Sequence, residues 1–124
     1  IGKGSFGTVY RCTDVKTQIS YAVKKIDLRV LRMQPQFVLE RLKRECSVLE
    51  NLSHPCVVRL YKTIEAPDAI LMVMEMVLGM ELFEMIVAVS GLGESEACAI
   101  FIQIASALAY MHKRGVVHRD IKPE

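Results

Sequence analysis

Gly2 to Val9 read GKGSFGTV, three glycines at fixed spacing followed at once by residues typical of a β-strand. Two kinds of phosphate-binding loop share this spacing. In a dinucleotide-binding fold the glycines open a helix, and an acidic residue stands about 20 positions further on, where this chain has Asp27. Here the residues after Gly7 are β-branched and aromatic. They favour a glycine turn between two strands, whose backbone N–H groups cover phosphates.

The first 76 residues predict a sheet and one long helix. Strand patterns occur over residues 8–13, 19–26, 57–65 and 69–76. A helical pattern begins after Pro35 and runs to about residue 52. It ends before Pro55, because the residue preceding a proline is pushed out of the α region. The predicted inward stripe of this helix comprises Val38, Leu42, Glu45, Leu49 and Leu52. Strands with one helix indicate an α+β arrangement.

Two charged residues stand in positions that are otherwise apolar. Lys24 shares a predicted strand face with Ala22 and Ile26, and Glu45 lies in the helix stripe. A charge among buried groups is costly unless it is paired, so Glu45 predicts a cation facing the helix, and Lys24 is the candidate. Such a pair would hold the ammonium beside a polyphosphate. Taken singly, Lys24 also fits a solvated edge residue and Glu45 an exposed helix charge.

After residue 76 the pattern becomes helical. It predicts a short helix over Glu81–Val89 and a longer one from Glu94 to about Arg114. Acidic residues in the first turn of the longer helix, basic residues in its last turn and Gly115 after its end match the helix dipole and a glycine C-cap. Residues 97–111 are apolar nearly all round. This composition predicts a helix inside a larger core whose other partners lie outside this chain.

Composition excludes several classes of protein. The 124 residues are 52% apolar and 24% charged, unlike a disordered or low-complexity chain. A net charge of +2 gives no reason to expect nucleic acid as a partner, and the longest apolar run, residues 69–74, is too short to span a membrane. The four cysteines, which form no CxxC pair, and the lack of a targeting segment predict an intracellular, cytoplasmic protein, with the nucleus left open.

Residues 116–124 read VVHRDIKPE. With the glycine loop, the Ala-Val-Lys strand at 22–24 and Glu45, this segment resembles the N-terminal half of a eukaryotic protein kinase catalytic domain, in motif order and over all 124 residues. The resemblance implies an α+β, protein-kinase-like fold. A five-stranded antiparallel N-lobe with one long helix would occupy residues 1–76 and a hinge residues 77–80. The start of a mainly helical, truncated C-lobe would occupy residues 81–124, ending inside the catalytic loop.

The resemblance also implies site residues. The glycines would cover the nucleotide phosphates, Lys24 would bind the α- and β-phosphates, and Glu45 would orient Lys24. Met74 would be the gatekeeper, backbone groups of Glu75 and Val77 would meet the adenine edge, and Glu81 the ribose. The implied nucleotide-binding set is Ile1, Gly2, Gly4, Gly7, Val9, Ala22, Lys24, Met74, Glu75, Val77 and Glu81.

The implied catalytic set is Lys24, Glu45, Asp120 and Lys122. Asp120 would accept or orient the proton of the attacking hydroxyl, and Lys122 would steady the γ-phosphate. The Asp-x-Lys-Pro-Glu ending is similar to that of serine/threonine kinases, and residues 79–83 and 112–124 resemble the calcium/calmodulin-dependent group.

These features predict an ATP- and Mg²⁺-dependent kinase acting on protein Ser or Thr hydroxyls, with an unidentified regulator. The magnesium ligands are expected beyond residue 124, and the chain alone is expected to be inactive. The alternative is a pseudokinase that binds nucleotide or partners as a scaffold. The working residues at the four catalytic positions argue against it, whereas a degenerate continuation of the chain would favour it.

Overall fold

A computed structural model describes residues 2–4, 7–33 and 35–124. The elements are β1 (Gly2–Gly4), β2 (Gly7–Thr13), β3 (Ser20–Asp27), α1 (Leu28–Arg32), α2 (Gln36–Glu50), β4 (Leu60–Ala66), β5 (Ala69–Glu75), α3 (Leu82–Ala88) and α4 (Glu94–His112). The chain divides into two compact units. Unit 1 comprises Ile1–Ser53 and Val58–Val77, and unit 2 comprises His54–Val57 and Leu78–Glu124.

The strands of unit 1 form an antiparallel sheet in the order β1-β2-β3-β5-β4, five strands in the described residues. This arrangement confirms the predicted α+β fold with a five-stranded antiparallel sheet. A register shift between Leu60 and Lys62 interrupts the ladder of β4 with β5. The strand predicted over residues 57–65 begins later than expected, at Leu60, and ends at Ala66.

The turn between β2 and β3 is organised by Asp14. One carboxylate oxygen of Asp14 accepts hydrogen bonds from the backbone N–H groups of Lys16 and Thr17, at 3.0 and 2.7 Å, and from the Thr17 hydroxyl at 3.0 Å. These donors favour the charged carboxylate and hold the pKa of Asp14 below its ordinary value. Gln18 follows with φ of 60°, the left-handed conformation that reverses the chain.

Helix α2 packs on the sheet along a different stripe from the one predicted. Val38 and Leu42 contact the core as expected, but Cys46 is buried whereas Leu49 is 37% exposed. The prediction for Leu49 was wrong because the buried positions follow 4-4 spacing, from 38 to 42 to 46, rather than the alternating 4-3 spacing assumed. Glu45 consequently stands beside the buried stripe, on the exposed side of the helix.

A helix that the sequence pattern did not predict, α1, joins β3 to α2. Asp27 caps it, since its carboxylate accepts a hydrogen bond of 2.8 Å from the Arg29 backbone N–H. Leu28 and Leu31 are buried in the core of unit 1. Arg29 forms an ion pair of 3.1 Å with Asp68 in the β4–β5 turn, which raises the pKa of the Arg29 guanidinium. This contact attaches α1 to the β4–β5 turn, which lies beside the end of β3 because Asp27 pairs with Ala69.

In unit 2 the segment His54–Val57 packs against α4. The Cys56 backbone N–H donates to His54 Nδ1 at 3.1 Å, and His54 Nε2 lies 3.2 Å from the Ser106 hydroxyl. The Arg114 guanidinium lies over the Tyr110 ring, 3.8 Å from its centre. One side of the end of α4 and the turn after it therefore carries Ser106, Tyr110 and Arg114, because these residues follow one another at intervals of four.

Helix α4 follows its predicted limits closely, but much of its apolar surface is exposed in this chain. Ala107 and Met111 are buried, whereas Phe101 is 68% and Ile102 60% exposed. In the part of the chain that the structure describes, no helix is long and apolar enough to cross a membrane. All four cysteines are free.

Candidate active site

One sheet face carries four of the predicted nucleotide-contacting residues of unit 1. Val9 lies opposite Lys24 in the β2–β3 ladder, and Ala22 lies opposite Met74 in the β3–β5 ladder. Directly opposed residues of antiparallel strands share a face, and alternate residues along β3 do so too. Ala22 is buried, and Lys24 and Met74 are half-buried. The fold therefore brings Val9, Ala22, Lys24 and Met74 together on one surface.

The glycine motif occupies the β1–β2 hairpin. Gly2 lies opposite Val9, and Gly4 opposite Gly7, while Ile1 and residues 5 and 6 lie outside the described residues. The segment after Gly7 is a strand, which confirms the glycine turn between strands over the dinucleotide-binding alternative. A Cβ atom at Gly7 would lie 2.2 Å from the Lys25 carbonyl oxygen of β3. Glycine at this position thus allows β3 to approach β2 closely.

Glu45 is paired with a cation other than the one predicted. Its Oε1 accepts from Arg41 Nε at 3.3 Å, one turn earlier on α2. Among the described residues, Lys24 forms no ion pair. The Lys24–Glu45 pair therefore remains a prediction for the active conformation.

Backbone groups at the end of β5 and just after it are the predicted contacts of the adenine edge. The Glu75 backbone N–H donates to the Arg59 carbonyl oxygen at 2.8 Å, and the Glu75 carboxylate accepts from the Arg59 N–H at 3.2 Å. Val77 is 63% exposed, and its backbone forms no hydrogen bond with described residues. The Val77 N–H and carbonyl oxygen can consequently serve the edge of a planar ligand, whereas the Glu75 N–H is already used.

Unit 2 holds the predicted catalytic loop residues. Asp120 and Lys122 are close together, with 3.6 Å between Oδ2 and Nζ, and both side chains are largely exposed. The Asp120 backbone N–H donates to His118 Nδ1 at 3.2 Å, and Arg119 between them has φ of 68°. This local hydrogen bond and the left-handed residue fix a tight bend just before Asp120. His118 therefore orients the loop.

The predicted catalytic loop is attached to the start of α3. The Phe83 backbone N–H donates to the Pro123 carbonyl oxygen at 2.9 Å. Glu81, the predicted ribose contact, precedes this helix, and its backbone N–H donates to the Glu84 carboxylate at 3.2 Å. Within unit 2, the start of α3 therefore lies beside the loop that bears Asp120 and Lys122.

Residues 1–124 match the family profile described as Protein kinase domain. The chain belongs to the protein kinase family. Its relatives include Calcium-dependent protein kinase 5 of Plasmodium berghei (strain Anka), 39% identical over all of this chain and 21% of the relative. CBL-interacting serine/threonine-protein kinase 8 of Arabidopsis thaliana is 38% identical over all of this chain and 27% of the relative.

Maternal embryonic leucine zipper kinase of Xenopus tropicalis is 44% identical over all of this protein kinase chain and 18% of the relative. The chain thus spans between 18 and 27% of the length of these three relatives. Among solved structures, that of Rad53 residues 1–466 in complex with AMP-PNP has a TM-score of 0.84 and 36% identity. The similarity covers 99% of this chain and 31% of that one. The fold is therefore that of a protein kinase.

Arg41, the observed partner of Glu45, was not expected from the sequence. The available signal was its position four residues before Glu45, the spacing at which helix side chains of opposite charge meet.

Proposed function

We propose that the full-length protein containing this chain is an ATP-dependent serine/threonine kinase, which transfers the γ-phosphoryl group of ATP to a protein Ser or Thr hydroxyl. The observation that carries the proposal is the shared sheet face of Val9, Ala22, Lys24 and Met74. It places a half-buried ammonium next to a small apolar surface, a combination suited to a purine bearing phosphates.

Family membership and the names of relatives support this proposal. One relative is named as a serine/threonine-protein kinase, and the similar Rad53 structure holds AMP-PNP. In the proposed roles, Lys24 binds phosphate oxygens, Glu45 orients Lys24, and the backbone of Val77 meets the adenine edge. Asp120 orients the acceptor hydroxyl, and Lys122 neutralises charge on the transferred group. These roles need no covalent bond between enzyme and phosphate.

Mg²⁺ would neutralise the charge on the ATP phosphates when bound. The described residues contain no group of three or more His, Cys, Asp or Glu side chains able to hold a metal ion. Because Mg²⁺ in such sites is held by one or two carboxylates together with substrate phosphates, we propose that its ligands lie in the rest of the full-length protein, and the proposed roles of the residues in this chain do not depend on them.

The test is transfer of labelled phosphate from ATP to peptides that carry a single acceptor, Ser, Thr or Tyr, by the full-length protein. We expect labelling of the Ser and Thr peptides, and loss of labelling in the Asp120→Asn variant. The matched control is Asp68→Asn, which changes a carboxylate in the β4–β5 turn far along the chain from the catalytic loop.

Labelling of the Tyr peptide alone would overturn the proposed acceptor class. Nucleotide binding without any transfer by the wild-type protein would overturn the kinase proposal in favour of the scaffold alternative. Equal labelling by wild type and Asp120→Asn would overturn the proposed role of Asp120.

A further inference from the structure

Glu45 is paired with Arg41, whereas the cation expected to pair with it during phosphoryl transfer is Lys24, also in unit 1. Arg41 holds its carboxylate at 3.3 Å on the outer surface of α2, where the Arg41 and Glu45 side chains are 65% and 59% exposed. Lys24, the partner that phosphoryl transfer requires, is half-buried on the sheet face instead. A carboxylate directed along the outside of the helix towards Arg41 is not directed at the sheet.

We propose that Arg41 restrains the enzyme by drawing Glu45 away from Lys24. Arg41 is thus a positioning residue that acts through Glu45. The inference rests on the proposed kinase function, because only there does the Lys24–Glu45 pair limit the rate.

The restraint that Arg41 exerts on Glu45 is weak, so salt and other charged groups can change it. An exposed ion pair between residues four apart on a helix shifts an equilibrium by only about twofold. The order here, with the cation before the anion, is the less favourable one for the helix dipole. Salt screens such a pair, and an acidic group brought to the outer face of α2 would compete with Glu45 for Arg41. Arg41 therefore biases the position of Glu45 without locking it.

The chain offers a matched control. Arg44 lies three residues after Arg41 on the exposed side of α2, carries the same charge and forms no ion pair among the described residues. The experiment compares full-length wild type, Arg41→Gln, Arg41→Lys, Arg44→Gln, Glu45→Gln and the double variant Arg41→Gln/Glu45→Gln. Two quantities are measured at low salt. They are kcat and KM for a Ser peptide, and the yield of the amide that a carbodiimide forms between Lys24 and Glu45, quantified by mass spectrometry.

We expect Arg41→Gln to raise both kcat and the Lys24–Glu45 cross-link by about twofold, with KM for the peptide unchanged. Arg41→Lys, which keeps a cation at this position, should match wild type, as should Arg44→Gln. In the Glu45→Gln background the Arg41 substitution should have no effect. High salt should reduce the difference between wild type and Arg41→Gln.

Two results would overturn the inference: a cross-link yield in Arg41→Gln equal to that in Arg44→Gln, or a gain in kcat that persists without Glu45. The cross-link needs no catalysis. If it rises while no variant transfers phosphate, the proposed function fails and the competition for Glu45 stands. If transfer by wild type is robust and Arg41→Gln changes neither quantity, only the inference fails.

Discussion

The ring of His54 lies against the ring of Tyr110, with 4.9 Å between their centres and an angle of 36° between their planes. His54 Nδ1 accepts from the Cys56 N–H, so Nε2 carries the proton of the neutral ring and donates to the Ser106 hydroxyl. Both ring nitrogens and one ring face are therefore used within unit 2.

Replacing His54 with alanine should loosen the segment 54–57. The variant loses two hydrogen bonds and a ring contact, together worth about 2 kcal/mol. We expect faster amide hydrogen exchange at Cys56 and a lower melting temperature of the full-length protein. His112→Ala is the control, because His112 is exposed at the end of α4. Equal exchange at Cys56 in the two variants would show that His54 does not hold this segment.

Lys24→Met should weaken ATP binding and transfer. Lys25→Met is the matched control, since Lys25 is exposed and alternate residues of β3 point to opposite faces. We expect Lys24→Met to reduce kcat/KM for ATP by at least about tenfold, or ~1.4 kcal/mol, and Lys25→Met to leave it within about threefold. Circular dichroism should be the same for both variants. Similar losses in the two variants would contradict the assignment of Lys24 to the nucleotide.

Gly7→Ala should destabilise the β2–β3 ladder. Its methyl group would lie 2.2 Å from the Lys25 carbonyl oxygen, so the strands must move apart, at a cost of about 1–3 kcal/mol. Gly2→Ala is the control, because nothing described lies within 4 Å of the corresponding Cβ position. Thermal unfolding of both variants measures the difference. A Gly7→Ala protein as stable as Gly2→Ala would mean that the ladder tolerates the added group.

Asp14→Ala should open the β2–β3 turn. The substitution removes three hydrogen bonds, so we expect faster amide exchange at Lys16 and Thr17 near neutral pH. Lys16→Ala is the control, since it changes a charge in the same turn and leaves the Asp14 bonds intact. If amide hydrogen exchange at Thr17 is equally fast in Asp14→Ala and Lys16→Ala, the Asp14 carboxylate does not organise the turn.

The stabilisation of the β2–β3 turn by the Asp14 carboxylate depends on pH. The folded pKa of Asp14 is lowered, so its contribution is fully present above the ordinary value of 3.8 and is lost as the pH falls through the lowered value. We compare the rate of amide hydrogen exchange at Thr17 in the two proteins, corrected for the intrinsic effect of pH. The rate in wild type should approach the rate in Asp14→Ala only below pH 3.8. A difference that disappears well above it would contradict this account.

Local patterns were sufficient to predict much of the sheet and its face. Alternation along β3 placed Ala22 and Ile26 on one buried face with Lys24, and the register confirms this arrangement. The partner of Glu45 was beyond such patterns, because Glu45 lies on the exposed side of α2 and pairs with Arg41 one turn earlier on the same helix. The short helix α1 was missed because its stability comes from the Asp27 cap and the Asp68 contact, 41 residues apart in sequence.

The side of α2 that packs on the sheet was also only partly predictable from the sequence. Cys46 and Leu49 are both apolar residues of α2, and the alternating 4-3 spacing placed Leu49 on the predicted inward stripe. In the structure Cys46 is buried in the core of unit 1, and together with Thr63 and Ile70 it lines a cavity of about 230 Å³. Burial raises the pKa of its thiol, and the Thr63 side chain opposes this by less.

The four residues His54–Val57 belong to unit 2 although unit 1 precedes and follows them in the chain. Gene exchange between related kinases at the boundary after Val77 would therefore not transfer a self-contained module. In a chimaera whose residues 1–77 come from another kinase, the residue at position 54 comes from that kinase. It must still contact Ser106 and Tyr110 of this chain. Chimaeras made at this boundary should therefore be most stable when both parents have compatible residues at these three positions.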